Sequence, residues 1–310
     1  MKIIAKAGRE DIATVYIAEV ERENLIEFVE SVQPPIPRDE KWVLIVSTLH
    51  GCPVRCRFCD AGGFYKGKIS KRVILLQINY LVKKRYPDRK VRVKKFKIQF
   101  ARMGEPSFND AVLEVINSLP EIYEAPGLIP CISTVAPRGV DDFFENLLEI
   151  KKIKYARRFQ LQFSIHTTDE KLRNWIIPLN KWDFSTISLY GERFYDKDGR
   201  KITLNFALAD GIPLDPDVLL KYFNPEIFLV KITPVNPTYT AVKNLLFSKK
   251  VFKNCDELIN SLRQCGYDVI LSIGELEENK IGSNCGQYLL RHMIEKEKLE
   301  NAYSYGLIEP

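Results

Sequence analysis

Short apolar, β-branched runs recur along the chain at Trp42–Ser47, Phe96–Ala101, Ile129–Thr134, Phe159–Ser164, Ile202–Ala207, Ile227–Ile232 and Val269–Ile273. Between most of them the apolar residues take the three-to-four spacing of a helix that buries one face. Val73–Arg85 shows it through Ile74, Leu75, Ile78, Leu81 and Val82, and Asp110–Ser118, Asp141–Lys151 and Asp256–Cys265 repeat it. Strands alternating with helices imply parallel strands joined by crossover helices. The expected fold class is therefore α/β, a full or partial (β/α) barrel in preference to an open doubly wound sheet. Ahead of it, Asp11–Ala18 reads as a strand and Asn24–Val32 as a short helix. Pro34-Pro35-Ile36-Pro37-Arg38-Asp39 is a stiff connector, because proline fixes φ and restricts its predecessor. The expected division is 1–38 for an N-terminal hairpin/helix element and linker, 39–275 for the barrel core, and 276–310 for a C-terminal loop and closing helix.

In a (β/α) barrel the chemistry gathers at the C-terminal ends of the strands. Polar residues break the apolar pattern there: Ser47-Thr48-Leu49-His50-Gly51-Cys52 after the first run, Gly104-Glu105-Pro106 after the second, Ser133-Thr134 at the third, Ser164-Ile165-His166 at the fourth and Asn236-Pro237 after the sixth. Turns need polar residues in any protein. Their repetition in step with a cysteine cluster points instead to one site.

Composition narrows the class. The 310 residues are 45% hydrophobic and 28% charged, values of a globular protein. No apolar run approaches the roughly 20 residues that span a bilayer, and the first ten residues carry no apolar stretch of the kind a signal peptide has. A cytoplasmic protein without a membrane contact is expected. The seven cysteines are odd in number. Cys52, Cys56 and Cys59 cluster, while Cys131, Cys255, Cys265 and Cys285 are scattered, a distribution that favours metal binding or catalysis over a disulfide framework. The net charge of +6 decides little. Its concentration in Lys83, Lys84, Arg85, Arg89, Lys90, Arg92, Lys94, Lys95 and Lys97 reads either as a polyanion-binding patch or as ordinary solvated charge.

Cys52-Pro53-Val54-Arg55-Cys56-Arg57-Phe58-Cys59 has the spacing C-x3-C-x2-C. Structural zinc takes four protein ligands, commonly as two close pairs, and no fourth cysteine lies nearby. Three thiolates on a [4Fe–4S] cubane leave one iron open to a chelating amine and carboxylate, which the methionine end of S-adenosylmethionine provides. The motif resembles that of the radical-SAM superfamily, including an aromatic residue, Phe58, before the last cysteine.

Further anchors are Met103-Gly104-Glu105-Pro106, Ser164-Ile165-His166 with Arg173 and Ile177-Pro178-Leu179-Asn180-Lys181, Pro234-Val235-Asn236-Pro237, and Asn284-Cys285-Gly286-Gln287. In order and spacing they resemble the RlmN/Cfr type of radical-SAM adenine methyltransferases, from about residue 11 to 290. The resemblance implies a partial (β/α) barrel of the radical-SAM type, with cluster ligands Cys52, Cys56 and Cys59. It places Gly104, Glu105, Ser133, Ser164, His166 and Asn236 at S-adenosylmethionine. Cys285 would be the methyl carrier: one S-adenosylmethionine methylates it, and a second supplies the radical that activates the S-methyl group. A flavodoxin- or ferredoxin-type electron donor and an RNA substrate are the implied partners.

Two positions depart from the family pattern. Its second cysteine, seven residues before the cluster motif, is matched by Ile45, and its glutamate base on the N-terminal hairpin by Ala13. No counterpart of the helical RNA-binding domain that precedes the hairpin in the bacterial rRNA enzymes is recognised. Three readings follow: a C-methyltransferase using Cys285, a radical enzyme that abstracts hydrogen directly from a small molecule or peptide, and a non-catalytic RNA-binding protein on the same scaffold.

Overall fold

Along β4 (Lys41–Val46), Trp42, Leu44 and Val46 are buried, while Lys41, Val43 and Ile45 on the opposite face are partly exposed. β7 (Lys95–Phe100) repeats the alternation, with Phe96, Ile98 and Phe100 on the buried face. Each strand thus gives one apolar face to the helical layer and keeps a more polar face for the interior of the sheet's curve. The computed structural model describes residues 1–32, 34–248, 255–272, 276–283, 288–294, 299 and 302–308.

β8 (Leu128–Thr134), β9 (Gln160–Ser164), β10 (Ile202–Leu208), β11 (Phe228–Pro234) and β12 (Val269–Leu271) follow β4 and β7 in unbroken parallel pairing. Crossovers run through α1 (Lys71–Arg85), α2 (Ala111–Ile122), α3 (Asp141–Ile150), the pair α4 (Glu170–Ile176) and α5 (Phe184–Phe194), α6 (Pro216–Tyr222), and α7 (Tyr239–Lys243) with α8 (Cys255–Gln264). Side chains close several helix starts: Ser70, Asp169, Asp183 and Asp215 each accept a main-chain N–H of the first turn. Parallel register sets Ile45, Gln99, Cys131 and Gln160 side by side across four strands of the inner face.

β1 (Lys2–Arg9), β2 (Ala13–Glu19) and β3 (Leu25–Ser31) form an antiparallel meander that joins β4 and completes a ten-stranded sheet. Among the described residues β12 does not pair with β1, so the barrel is partial, as expected. Lys6 of β1 instead bridges to Ile308 through two main-chain bonds of 2.9 Å. α9 (Leu276–Ile281) and α10 (Tyr288–Ile294) pack on the meander. A small hairpin of β5 (Leu49–His50) and β6 (Gly67–Lys68) brackets the cysteine loop. No helix among the described residues is long and apolar enough to cross a membrane.

One expectation fails. Asn24–Val32 is not a helix: β3 occupies it, buried on both faces. Glu27 and Glu30, three residues apart, imitate the polar stripe of a helix. In a strand they point to opposite faces, and both are buried. Glu30 accepts Trp42 Nε1 at 3.2 Å, pairs with Arg85, and lies 3.6 Å from Arg38.

The basic run also resolves. Lys84 and Lys94 sit 2.7 and 2.5 Å from Glu10 and Glu40, Lys90 sits 3.2 Å from Glu124, and Lys97 turns inward to Gln160 at 2.6 Å. These residues spread over a helix end, a loop and a strand rather than forming one face.

Replacing Glu30 by alanine leaves buried Trp42 Nε1 without its acceptor and half-buried Arg85 with Glu10 alone. Such a loss costs about 3 kcal/mol, and denaturant unfolding of Glu30→Ala should show a drop of that order with native secondary structure retained.

Candidate active site

The cysteine loop begins where two chain segments touch. Gly51 has φ 77°, and a Cβ there would lie 1.8 Å from the Phe64 carbonyl oxygen, so only glycine fits. The Cys52 N–H donates to Ala61 O at 2.7 Å, and the Cys59 N–H to Cys56 O at 3.1 Å. Asp60, fully buried beside Cys59, ties the loop to the distant start of α7. Its carboxylate accepts the Thr240 N–H at 2.8 Å, Thr240 Oγ1 at 2.7 Å, the Tyr239 N–H at 3.2 Å and Tyr303 OH at 3.2 Å. Thr238 Oγ1 donates to Phe58 O at 2.8 Å, and Asn244 Nδ2 to Arg57 O at 2.9 Å.

The three thiols line one cavity of ≈ 290 Å³, together with Val54 and Phe58. Burial pushes Cys52 up to about 11 and Cys56 well above the usual thiol range. A thiolate there is favoured by bonding to a metal. Among the described residues no three His, Cys, Asp or Glu side chains form a group that could hold a single metal ion. Thiols arranged around a cavity rather than on a point fit a multinuclear cluster, each bonding its own iron.

The six residues expected at S-adenosylmethionine all line the same cavity, Gly104, Glu105, Ser133, Ser164, His166 and Asn236, whereas Ser47, Thr48 and His50 do not. Gly104, at φ 98°, presses on Leu49, whose Cβ would be 2.5 Å from an added methyl. Glu105 caps the short turn Pro106–Phe108 and is nearly fully buried. Its Oε1 accepts Thr134 Oγ1 at 2.5 Å and Ser107 Oγ at 2.8 Å, and its Oε2 accepts the Val135 N–H at 2.9 Å. Burial nonetheless holds its carboxyl above the usual range against these donors, so a cation arriving in the cavity would favour the charged form.

His166 sits at φ 67° with its ring edge-on to Phe58, centroids 4.7 Å apart. Burial, reinforced by the Arg173 charge, lowers it to about 3. Nδ1 accepts the Ala207 N–H at 3.1 Å, which assigns the proton to Nε2 and makes the ring a neutral donor.

Cys285 lies outside the described residues. Ile45 lines the cavity; Ala13 is buried in β2 opposite Ser31 and does not. Cys131 is fully buried and accepts Gln162 Nε2 at 2.7 Å. The site also holds residues the sequence reading missed, Gln162, Asn205, Lys231 and Arg102 in the wall and Asp60 behind it, besides the strand-end Thr134. Asp60 directly follows the last cysteine and Thr238 directly follows Asn236-Pro237. That adjacency was the one available signal.

No family model matches the chain. It is similar to proteins called probable dual-specificity RNA methyltransferase RlmN. One from Prochlorococcus marinus (strain NATL1A) is 26% identical over 244 residues, 74% of this chain and 65% of that protein. Those from Chlorobium phaeobacteroides and Petrotoga mobilis are 26% identical over 284 residues and 25% over 294, covering 86% and 92% of this chain and 71% and 77% of theirs. The chain thus spans just under two thirds of the Prochlorococcus relative. In structure it resembles a radical SAM methyltransferase from Sphaerobacter thermophilus, with a TM-score of 0.70 and 18% identity over 93% of this chain and 81% of that one. The shared fold is the mixed α/β sheet described above.

The depressed His166 has a pH signature. The folded state keeps the ring neutral while the unfolded chain protonates it near its ordinary 6.5. Its stabilisation is therefore present above pH 6.5 and lost as pH falls from there toward 3. The loss is about 1.4 kcal/mol per pH unit. Acid unfolding of His166→Asn should show a visibly flatter limb between pH 6 and 4 than the parent protein.

Proposed function

We propose that this chain, a divergent RlmN/Cfr-like member of the radical-SAM proteins, is a C-methyltransferase that binds a [4Fe–4S] cluster and S-adenosylmethionine and uses Cys285 as methyl carrier. One observation carries the reading: the three thiols of one loop and six residues from four strand ends converge on a single cavity. Cys52, Cys56 and Cys59 would hold three irons and leave the fourth open. When bound, the cluster and S-adenosylmethionine supply reductive cleavage of the sulfonium to a 5′-deoxyadenosyl radical.

The chain's own residues would bind and orient. Glu105, held by Thr134, Ser107 and Val135, presents a fixed carboxylate to the methionine ammonium, a charge-assisted contact. His166 offers its Nε2 proton without adding charge, and Gly104 lets the main chain approach closely. Ser133, Ser164 and Asn236 can read the ribose or the adenine edge. Val54 and Phe58 exclude water from the thiols. The electron donor would be of flavodoxin or ferredoxin type, and the RNA named in the relatives' descriptions makes an RNA adenine the first substrate to test.

A second reading has an observation in its favour. Ile45 occupies the cavity wall where the family pattern has its second cysteine, so release of a Cys285-linked product would need another thiol. A radical enzyme that abstracts hydrogen directly from its substrate needs neither thiol. The non-catalytic RNA-binding reading loses its main support, since several basic-run side chains are engaged by carboxylates or by Gln160.

After anaerobic reconstitution, the methyltransferase reading predicts one S-adenosylhomocysteine and one 5′-deoxyadenosine per product, and a mass gain of one methyl on Cys285. Cys285→Ala should abolish formation of S-adenosylhomocysteine. Alanine at Cys52, Cys56 or Cys59 should remove the iron and all cleavage. If 5′-deoxyadenosine forms with Cys285 unmodified and no S-adenosylhomocysteine, direct abstraction replaces methyl transfer.

A further inference from the structure

Arg102 and Glu27 form an ion pair with no role in the site as so far described. The Arg102 side chain is 1% exposed and the Glu27 side chain 0%, with Arg102 Nε 2.8 Å from Glu27 Oε1. Arg102 directly precedes Met103-Gly104-Glu105 and lines the cavity, while Glu27 comes from β3. Both are also fixed through the main chain: Ser47 Oγ donates to Glu27 O at 2.5 Å and accepts the Met103 N–H at 3.2 Å.

Both partners also bond to one stretch of chain. Arg102 Nη2 donates to Gly282 O at 2.8 Å and Nη1 to Ser283 O at 3.0 Å. Glu27 Oε2 accepts the Leu289 N–H at 2.8 Å. One ion pair thus grips the chain on both sides of residues 284–288. Desolvating two charges is costly, and a purely structural pair is often replaced by apolar residues without loss. Guanidinium donors on two consecutive carbonyls and a carboxylate on an amide just downstream are interactions an apolar pair could not supply.

We propose that Glu27 and Arg102 are positioning residues that hold Gly282, Ser283 and Leu289, the chain on either side of the proposed methyl carrier, and so govern how readily its sulfur meets S-adenosylmethionine. The proposal rests on the methyl-carrier reading for its purpose, though not for its geometry. Because Arg102 lies next in sequence to the Gly104-Glu105 strand end, the pair links the cofactor-binding wall and the carrier segment through one rigid contact.

The test uses the full-length reconstituted protein. Single substitutions strand a buried charge and can unfold the chain, so the decisive variant is Glu27→Leu with Arg102→Met, which removes both charges at similar volume. Three readouts are compared with the parent: the melting temperature, hydrogen exchange in the peptide spanning 280–290, and Cys285 methylation rate against S-adenosylmethionine concentration. The expected result is a folded protein whose 280–290 peptide exchanges at least about tenfold faster. Its methylation kcat falls about tenfold to a hundredfold, with KM within about twofold of the parent. Arg102→Lys, which keeps the charge but not the forked donors, should recover little of the rate. Unchanged exchange in a folded double variant overturns the positioning role, as does faster exchange with an undiminished methylation rate. If the parent's Cys285 is never methylated while exchange responds as expected, the methyl-carrier reading fails and the anchoring stands.

Discussion

The site depends on a carboxylate that lines no part of it. Asp60 is fully buried and takes donors from Tyr239, Thr240 and Tyr303, residues about 180 and 240 positions away in sequence. Between Gly51 and Gly63 the chain has only a single short helical turn, so nothing periodic would hold three thiols in register. Ordering such a loop costs about 1–2 kcal/mol per residue in conformational entropy. In a desolvated setting, hydrogen bonds to a charged group contribute more than neutral ones, and here they bind the loop to α7 and to the C-terminal segment at once. The strands deliver Glu105, His166 and Asn236, whereas Asp60 delivers the cysteines to meet them.

The parallel strands were legible because each obeys a local rule. Apolar residues mark the helix-facing side, and boundaries shift by only a residue or so between Phe96–Ala101 as expected and Lys95–Phe100 as found. β3 broke that rule for a tertiary reason. Its glutamates satisfy their charges through Arg85, Arg38 and Arg102, residues far off in the chain, so the segment has strand pairing with a helix's polarity pattern. The mistaken helix has a plain origin: β3, buried on both faces, carries little period-two polarity to detect.

The candidate site divides along the same line. Residues at strand ends could be read because a (β/α) barrel turns chain position into spatial position. Glu105 and His166 therefore gathered around the cysteine triplet before any geometry was known. Asp60, Glu27 and Arg102 act through partners tens to hundreds of positions away, and no short pattern encodes such a pairing. The basic run, left open between two readings, shows the opposite case. Its residues are neighbours in sequence, but Lys97 faces the sheet's interior while Lys84 and Lys94 engage separate carboxylates.

Gly51 and Gly104 carry a different implication. Each is already imposed by contact with another stretch of the same chain, the Phe64 carbonyl in one case and Leu49 in the other, whatever the site binds. Selection on the chemistry and selection on the packing therefore act on separate residues within one loop system. A descendant without the proposed chemistry could shed Cys52, Cys56 and Cys59 within a few substitutions while both glycines persisted. In this lineage, retained glycines beside lost cysteines would be the mark of a scaffold put to another use, and loss of both the mark of a decaying gene.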